Sequence, residues 1–227
     1  MIRRFSYKGA NFRICSDGYD AIVSEIIRQR RILSDYIQRL PEFLTSLTPL
    51  APLADAPDIA IRMHKAADNT GVGPMAAVAG TTAQMAAEAA LKAGASKAVV
   101  ENGGDIFLAS GKEVVIGLYA GKSPLSGKLG FCVAANEMPV SVCSSSSRMG
   151  HSLSLGDCDL ACVVSKDAAL ADASATLAAN LVTRPADIDA ALEHISQIKG
   201  ITGVLIVKDD RVGMAGSLPR LVRHNDP

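Results

Sequence analysis

Seven of the twelve residues from Ala168 to Ala179 are alanine, and the polar exceptions are Asp172, Ser174 and Thr176. The pattern predicts an Ala-rich helix over Asp167–Leu181 whose small side chains let neighbouring backbone come close. That helix closes the least charged stretch of the chain. Residues 66–180 carry seven basic and ten acidic side chains, so 17 of 115 are charged and the net charge there is −3. The flanks carry 29 charged residues in 112, and the total over 227 residues is zero. The middle reads as interior and the flanks as its cover.

This balance excludes several classes of function. A nucleic-acid-binding domain shows a basic surplus, and none exists here. Aromatic residues make up 4% of the chain and Trp is absent, which removes stacking platforms for single strands. With 48% hydrophobic residues the chain can bury a core. Five cysteines, an odd number in a long chain, make a poor disulfide framework. The uncharged run Asn69 to Ala87 holds three Gly and one Pro and is too polar to span a membrane. Met1-Ile2-Arg3-Arg4 has the charge of a leader, but Phe5-Ser6-Tyr7-Lys8 replaces its apolar region. The expectation is a cytoplasmic protein with reduced thiols, bound to neither membrane nor nucleic acid.

Periodicity predicts a hairpin from Ile2–Lys8 and Asn11–Cys15 turning at Gly9-Ala10, then an amphipathic helix from Asp17 that ends or bends at Pro41. A connector from Thr48 to Pro57 leads to Ile59–Met63, whose alternation reads as a strand. A helix follows over Pro74–Lys92. Lys97–Glu101, Asp105–Ala109 and Glu113–Tyr119 form a meander, and Leu129–Ala134, Val140–Ser144 and Leu160–Ser165 continue the strands. Ala186–Ile198 is a last helix, and Gly203–Val207 with Arg211–Ala215 a last hairpin. Without βαβ alternation the fold class is α+β, with antiparallel sheets backed by Ala-rich helices. The chain reads as one domain over 1–227: cover at 1–65, motif-bearing core at 66–182, and a C-terminal helix and hairpin at 183–227.

Four places can carry chemistry. Gly71-Val72-Gly73-Pro74 sets two glycines before a helix start, so its amides suit an anion, or simply make an entry turn. Glu101-Asn102-Gly103-Gly104-Asp105 is a hairpin turn whose two glycines also let a flat ligand or a phosphate lie on backbone beside Asp105. Ser144 to Ser147, Arg148 and His151 combine hydroxyls, a cation and an imidazole, which is a floppy loop or an anion cradle. Cys158 and Cys162, expected on one strand face, match no common zinc spacing. Asp172 and Thr176 are i and i+4 on the Ala-rich helix: two hard oxygens that begin an Mg²⁺ or Ca²⁺ shell, unless Thr176 bonds its own backbone and Asp172 is exposed.

Together, Gly71–Gly80, Val100-Glu-Asn-Gly-Gly-Asp105, Gly150-His-Ser-Leu-Ser-Leu155 and Leu170-Ala-Asp-Ala-Ser-Ala-Thr176 resemble the ApbE superfamily of flavin transferases. The closer likeness is to its small cytoplasmic branch. The resemblance runs from about Asp68 to Val182 and implies an ApbE-like fold. It implies metal binding by Asp172 and Thr176, a flavin nucleotide near Gly103, Gly104 and Asp105, and His151 as the nearest equivalent of the family histidine. Two departures stand out. The family's Lys-Gly pair aligns with Ala79-Gly80, and its His-Ile-x-Asp-Pro motif is replaced by His151-Ser-Leu-Ser-Leu-Gly-Asp157. Mg²⁺ binding survives these changes better than flavin transfer does.

The reading that follows is a divergent ApbE-like protein. It takes Mg²⁺ and FAD or FMN, with His151 and Asp105 as catalytic candidates, Gly71, Gly73, Gly103, Gly104, Ser144 and Arg148 as nucleotide contacts, and Asp172 and Thr176 as metal ligands. The expected partner is a small-molecule nucleotide, with room for a homo-oligomer. Two alternatives remain open. One is a non-catalytic nucleotide-binding module. The other, implied only by the cytoplasmic branch's association with sulfide incorporation into homocysteine, makes Cys143 a sulfur carrier.

Overall fold

The computed structural model describes residues 1–121, 123–147 and 156–224. Strands β1 (Arg3–Tyr7) and β2 (Ala10–Ser16) form the first hairpin. It turns at Lys8-Gly9, one residue earlier than expected, because these two residues carry the positive φ angles of 46° and 80°. Helix α1 (Tyr19–Arg39) and the short α2 (Glu42–Thr45) follow. Then comes a correction: Ile59–Met63 is no strand but part of helix α3 (Asp58–Thr70). A strand would put residues 59, 61 and 63 on one face. Instead Ile59 and Met63, four apart, are fully buried while Ile61 is 50% exposed. A 3-10 turn at Pro74–Ala77 leads into α4 (Val78–Lys92).

The strands β3 (Ala98–Asn102), β4 (Asp105–Ala109), β5 (Val114–Leu118), β6 (Leu129–Val133), β7 (Val140–Ser145) and β8 (Leu160–Ser165) lead to α5 (Ala168–Leu181) and α6 (Ile188–Ser196). The last strands are β9 (Ile201–Lys208), β10 (Arg211–Gly216) and β11 (Arg220–Arg223). The expected meander breaks after β4. An eight-stranded sheet runs β1-β2-β3-β4-β7-β8-β9-β10, and β5 leaves it to join a three-stranded sheet, β11-β6-β5. All recorded pairings are antiparallel, as an α+β chain requires.

These elements stack as three layers. Leu160, Cys162 and Val164 of β8 face the small sheet with Leu108, Val142, Ile116 and Phe131. Ala161 and Val163 of the same strand face the helices with Phe107, Ala86, Ala171 and Ala175. Both faces of β8 are therefore dry, which explains its unbroken apolar run. Cys158 joins the helix-side cluster and Cys162 the sheet-side cluster, so the two thiols do not share a face. A third cluster binds α1, α2 and α3 to α5 through Tyr36, Phe43, Met63 and Ala169. Helix α5 is thus enclosed by sheet and helices, and only alanine-sized side chains permit that. At Gly80 of α4, a Cβ would lie 2.4 Å from the Ala168 carbonyl oxygen of α5.

Candidate functional site

The Gly103-Gly104 turn, the start of α4 and the second turn of α5 converge on a cleft of about 1830 Å³ between the layers. Asp172 and Thr176, one above the other on α5, are each 8% exposed, and Asp105 at the head of β4 is 6% exposed. All three border the cleft. The Gly80 N–H donates to Asp172 Oδ2 at 2.8 Å, a contact the missing Cβ of Gly80 makes accessible. The Ser144 N–H donates to Asp105 Oδ1 at 3.3 Å. Asn102 holds the turn to α4 by donating from Nδ2 to the Ala79 carbonyl at 3.3 Å.

Burial dominates the electrostatics. It pushes the Asp105 carboxyl up to about 7, against the stabilising Cys143 thiol and Ser144 N–H, with Glu101 adding to the rise. Burial, and then the charge of Asp105, pushes Asp172 well above the usual carboxylate range, while the Gly80 and Ala79 amides oppose it. The two carboxyls therefore repel across the cleft floor. Among the described residues no Lys, Arg or His pairs with either. Nor does any group of three His, Cys, Asp or Glu converge among them; what Asp105, Asp172 and Thr176 bring to the cleft is oxygen.

Thr176 settles an alternative left by the sequence. Thr70, Thr81 and Thr82 donate to the carbonyls four residues back, at 2.7, 2.5 and 2.7 Å. Among the described residues Thr176, equally helical, makes no such bond. Asp172 and Thr176 are thus neither exposed nor spent on their own backbone.

The structure separates the other candidates. Gly103 and Gly104 take the turn with φ of 66° and 108° and border the cleft. Gly73 also borders it, although its lack of a side chain answers to packing, since a Cβ would sit 1.8 Å from the Ser46 carbonyl oxygen. Gly71 is not brought to the cleft; with φ of 76° it caps the end of α3. Ser144 borders the cleft but spends its hydroxyl on the Gly104 carbonyl at 3.1 Å. Arg148 and His151 lie outside the described residues. Cys143 is fully buried, its thiol donates to the Ala168 carbonyl at 3.7 Å, and burial raises it well above an ordinary thiol. Such a group is not a poised nucleophile.

Sequence reasoning missed His224. Its ring lies over Gly117 in the cleft wall, 2.6 Å from where a Cβ would be, and its Cβ sits 3.3 Å from the Cβ position of Gly130. Gly117 and Gly130 are partners across β5 and β6, and the His224 N–H continues the ladder to the Lys128 carbonyl at 2.9 Å. The glycine pair was the available signal, but only strand pairing shows that it forms a floor.

The model of the family described as "AbpE bacteria" matches residues 12–213. The chain belongs to the ApbE-like superfamily. This ApbE-like chain is 43% identical to a UPF0280 protein of Methanocella arvoryzae over 198 residues, covering 87% of this chain and 80% of that one. It is 40% identical to a UPF0280 protein of Methanocaldococcus jannaschii over 230 residues, covering 97% and 93%. Among solved structures, the flavin transferase ApbE from Vibrio cholerae superposes with a TM-score of 0.61 at 15% identity, covering 96% of each chain. The apo flavinyl transferase ApbE of Pseudomonas stutzeri gives 0.57 at 12% identity, covering 95% and 94%. At these identities the ApbE-like chain shares their fold.

Proposed function

We propose that this protein binds a flavin or adenine nucleotide together with Mg²⁺ at the acidic end of the cleft. The observation that carries the reading is the pair of buried carboxylates, Asp105 and Asp172, beside a Thr176 hydroxyl that makes no helical back-bond. The donor set fits Mg²⁺: two carboxylates and a hydroxyl are hard oxygens, and a cation relieves a repulsion the protein otherwise bears alone. Bound there, Mg²⁺ supplies positive charge against phosphate oxygens. Asp105 and Asp172 hold that charge as carboxylates, and Thr176 adds a neutral oxygen. Gly103 and Gly104 leave backbone open for a pyrophosphate or a flat ring. The flavin transferases among the structural relatives suggest FAD or FMN as the nucleotide.

Binding is assigned here rather than transfer. Ala79 stands where the family pattern has a lysine, so the α4 start brings no cation to a departing phosphate. His151, with Asp105, remains the candidate for any proton movement. A sulfur-carrier role for Cys143 draws no support from a fully buried, protonated thiol.

Titration calorimetry with FAD, with and without Mg²⁺, tests the proposal. Saturable heat that appears only with Mg²⁺ is expected, and equal, negligible heats in both titrations would sink it. Release of AMP in the same cell would extend the assignment from binding to cleavage.

A further inference from the structure

Ser145 supplies one more oxygen at this end of the cleft. It closes β7, is 8% exposed, and its hydroxyl makes no hydrogen bond among the described residues. Ser141 and Ser174 are also without a partner, but both are fully enclosed away from the cleft, whereas Ser145 borders it.

Two anchors fix where the Ser145 side chain stands. The Cys143 thiol meets the Ala168 carbonyl at 3.7 Å, and the Ser147 hydroxyl meets the Ala179 carbonyl at 3.4 Å. Chain and helix therefore run in the same direction from Ala168 to Ala179. Eleven residues of helix rise about 16 Å, and four of extended chain about 13 Å, so the two stay nearly in step. Ser145 falls midway, level with the turn of α5 that carries Asp172 and Thr176. Strand alternation puts it on the Cys143 face, toward α5, while Ser144 points to the opposite face and bonds the Gly104 carbonyl. Extending the β4–β7 register of Ile106 with Val142 by three residues sets Ser145 across from Gly103, beside Asp105.

A hydroxyl oxygen sealed from solvent, on a residue that borders the cleft, without a partner among the described residues and level with two carboxylates, is an oxygen kept for a ligand. We propose that Ser145 Oγ is a further oxygen ligand of the divalent cation held by Asp105, Asp172 and Thr176. The inference rests on the reading that a divalent cation binds here. The hydroxyl coordinates through a lone pair and keeps its proton, so no charge changes and no co-reactant is needed.

Mn²⁺ alone is the probe, followed by the spectrum of the free ion as it is titrated into protein without nucleotide. Ser145→Ala is expected to weaken Mn²⁺ binding about tenfold, the low end of what supporting groups at metal sites contribute. Ser141→Ala, on the same strand but fully enclosed away from the cleft, is expected to stay within about twofold on the same reasoning. Without metal, Ser145→Ala should melt no lower than the parent, since no hydrogen bond is lost. A Ser145→Ala protein that binds Mn²⁺ like the parent overturns the inference and leaves the nucleotide proposal standing. Intact Mn²⁺ binding with weakened FAD binding also overturns it, by assigning the hydroxyl to the nucleotide. A parent that binds no Mn²⁺ overturns it too, and FAD calorimetry then decides the nucleotide proposal separately.

Discussion

Two buried polar clusters, one around His64 of α3 and one at the cleft, differ in one respect. Around His64 every polar group is used. The Leu53 N–H donates to the Tyr36 hydroxyl at 3.2 Å, that hydroxyl meets His64 Nε2 at 2.9 Å, and His64 Nδ1 meets the Leu50 carbonyl at 2.7 Å. One neutral tautomer, with the proton on Nδ1, satisfies the whole chain of bonds. Phe43 packs edge-on against both rings, at 4.9 and 5.2 Å between centroids. At the cleft the accounts stay open: two carboxyls repel, and among the described residues the Ser145 hydroxyl has no partner and Thr176 makes no bond back to its own helix. Buried polar groups that only hold a fold together are normally satisfied within it. Under the proposed function, the unsatisfied groups that border the cleft are the ones a ligand would meet.

The largest expected effect attacks the closed cluster. His64→Ala leaves a cavity, orphans the Leu50 carbonyl and deprives the Tyr36 hydroxyl of its acceptor, and should cost about 3 kcal/mol in denaturant unfolding. The Leu50–Leu53 connector would lose its tether, yet FAD affinity measured on the folded fraction should hold; a loss there would join the two clusters functionally. Asp172→Asn comes next and attacks the open one. Nucleotide binding in the presence of Mg²⁺ should weaken by about 10- to 100-fold. Metal-free melting should stay level or rise, because the variant keeps an acceptor for the Gly80 N–H and removes a carboxyl whose ionised form burial and Asp105 disfavour. A metal-free melting point well below the parent's would mark Asp172 as structural.

The smallest effect is the pH dependence that His64 contributes from the closed cluster. Burial holds His64 below its ordinary value of 6.5, against the pull of the Leu50 carbonyl and Asp68. The unfolded chain then binds the proton more readily than the folded one. The stability His64 contributes is present above about pH 6.5 and is lost as the pH falls below it. Buried Asp105 and Asp172 act with the opposite sign in both proteins. Melting followed from pH 7.5 to 5.5 should therefore show the parent losing stability relative to His64→Gln as the pH falls. Equal slopes would place the titration elsewhere.

Much of the fold was legible from the chain. Helices α1, α4 and α5 and most strands carry clean periods, and the Ala-rich run announced an enclosed helix. The failures were of two kinds. Ile59–Met63 alternates over five residues, too short a window to tell a strand from the buried face of a helix. The departure of β5 into a second sheet leaves no local trace, since a strand's pattern does not name its partner. The candidate site divided in the same way. Asp172 and Thr176 could be paired from i, i+4 spacing, and Asp105 flagged beside its glycines, but their convergence across 67 positions of sequence lay beyond any local rule. Gly71 looked like part of a phosphate loop because a helix stop and a loop use the same residue for the same positive φ. His224 was invisible, set by the pairing of β11 with β6. Ser145 was flagged only as one of the Ser144–Ser147 run, since which of two adjacent serines faces α5 is a tertiary matter.

By itself the sequence determined an α+β chain with a charge-poor, small-residue interior, no basic surplus for nucleic acid, and an acidic residue in each of two glycine- and alanine-rich motifs. Those are local properties: composition, period and spacing along one segment. Only the tertiary structure decided that Asp105 and Asp172 share a dry floor, that the Thr176 hydroxyl is left open while its helical cousins are not, and that Cys143 is sealed away. Each of these depends on what lies across a layer boundary. Desolvation and repulsion arise between segments, and no single segment contains them.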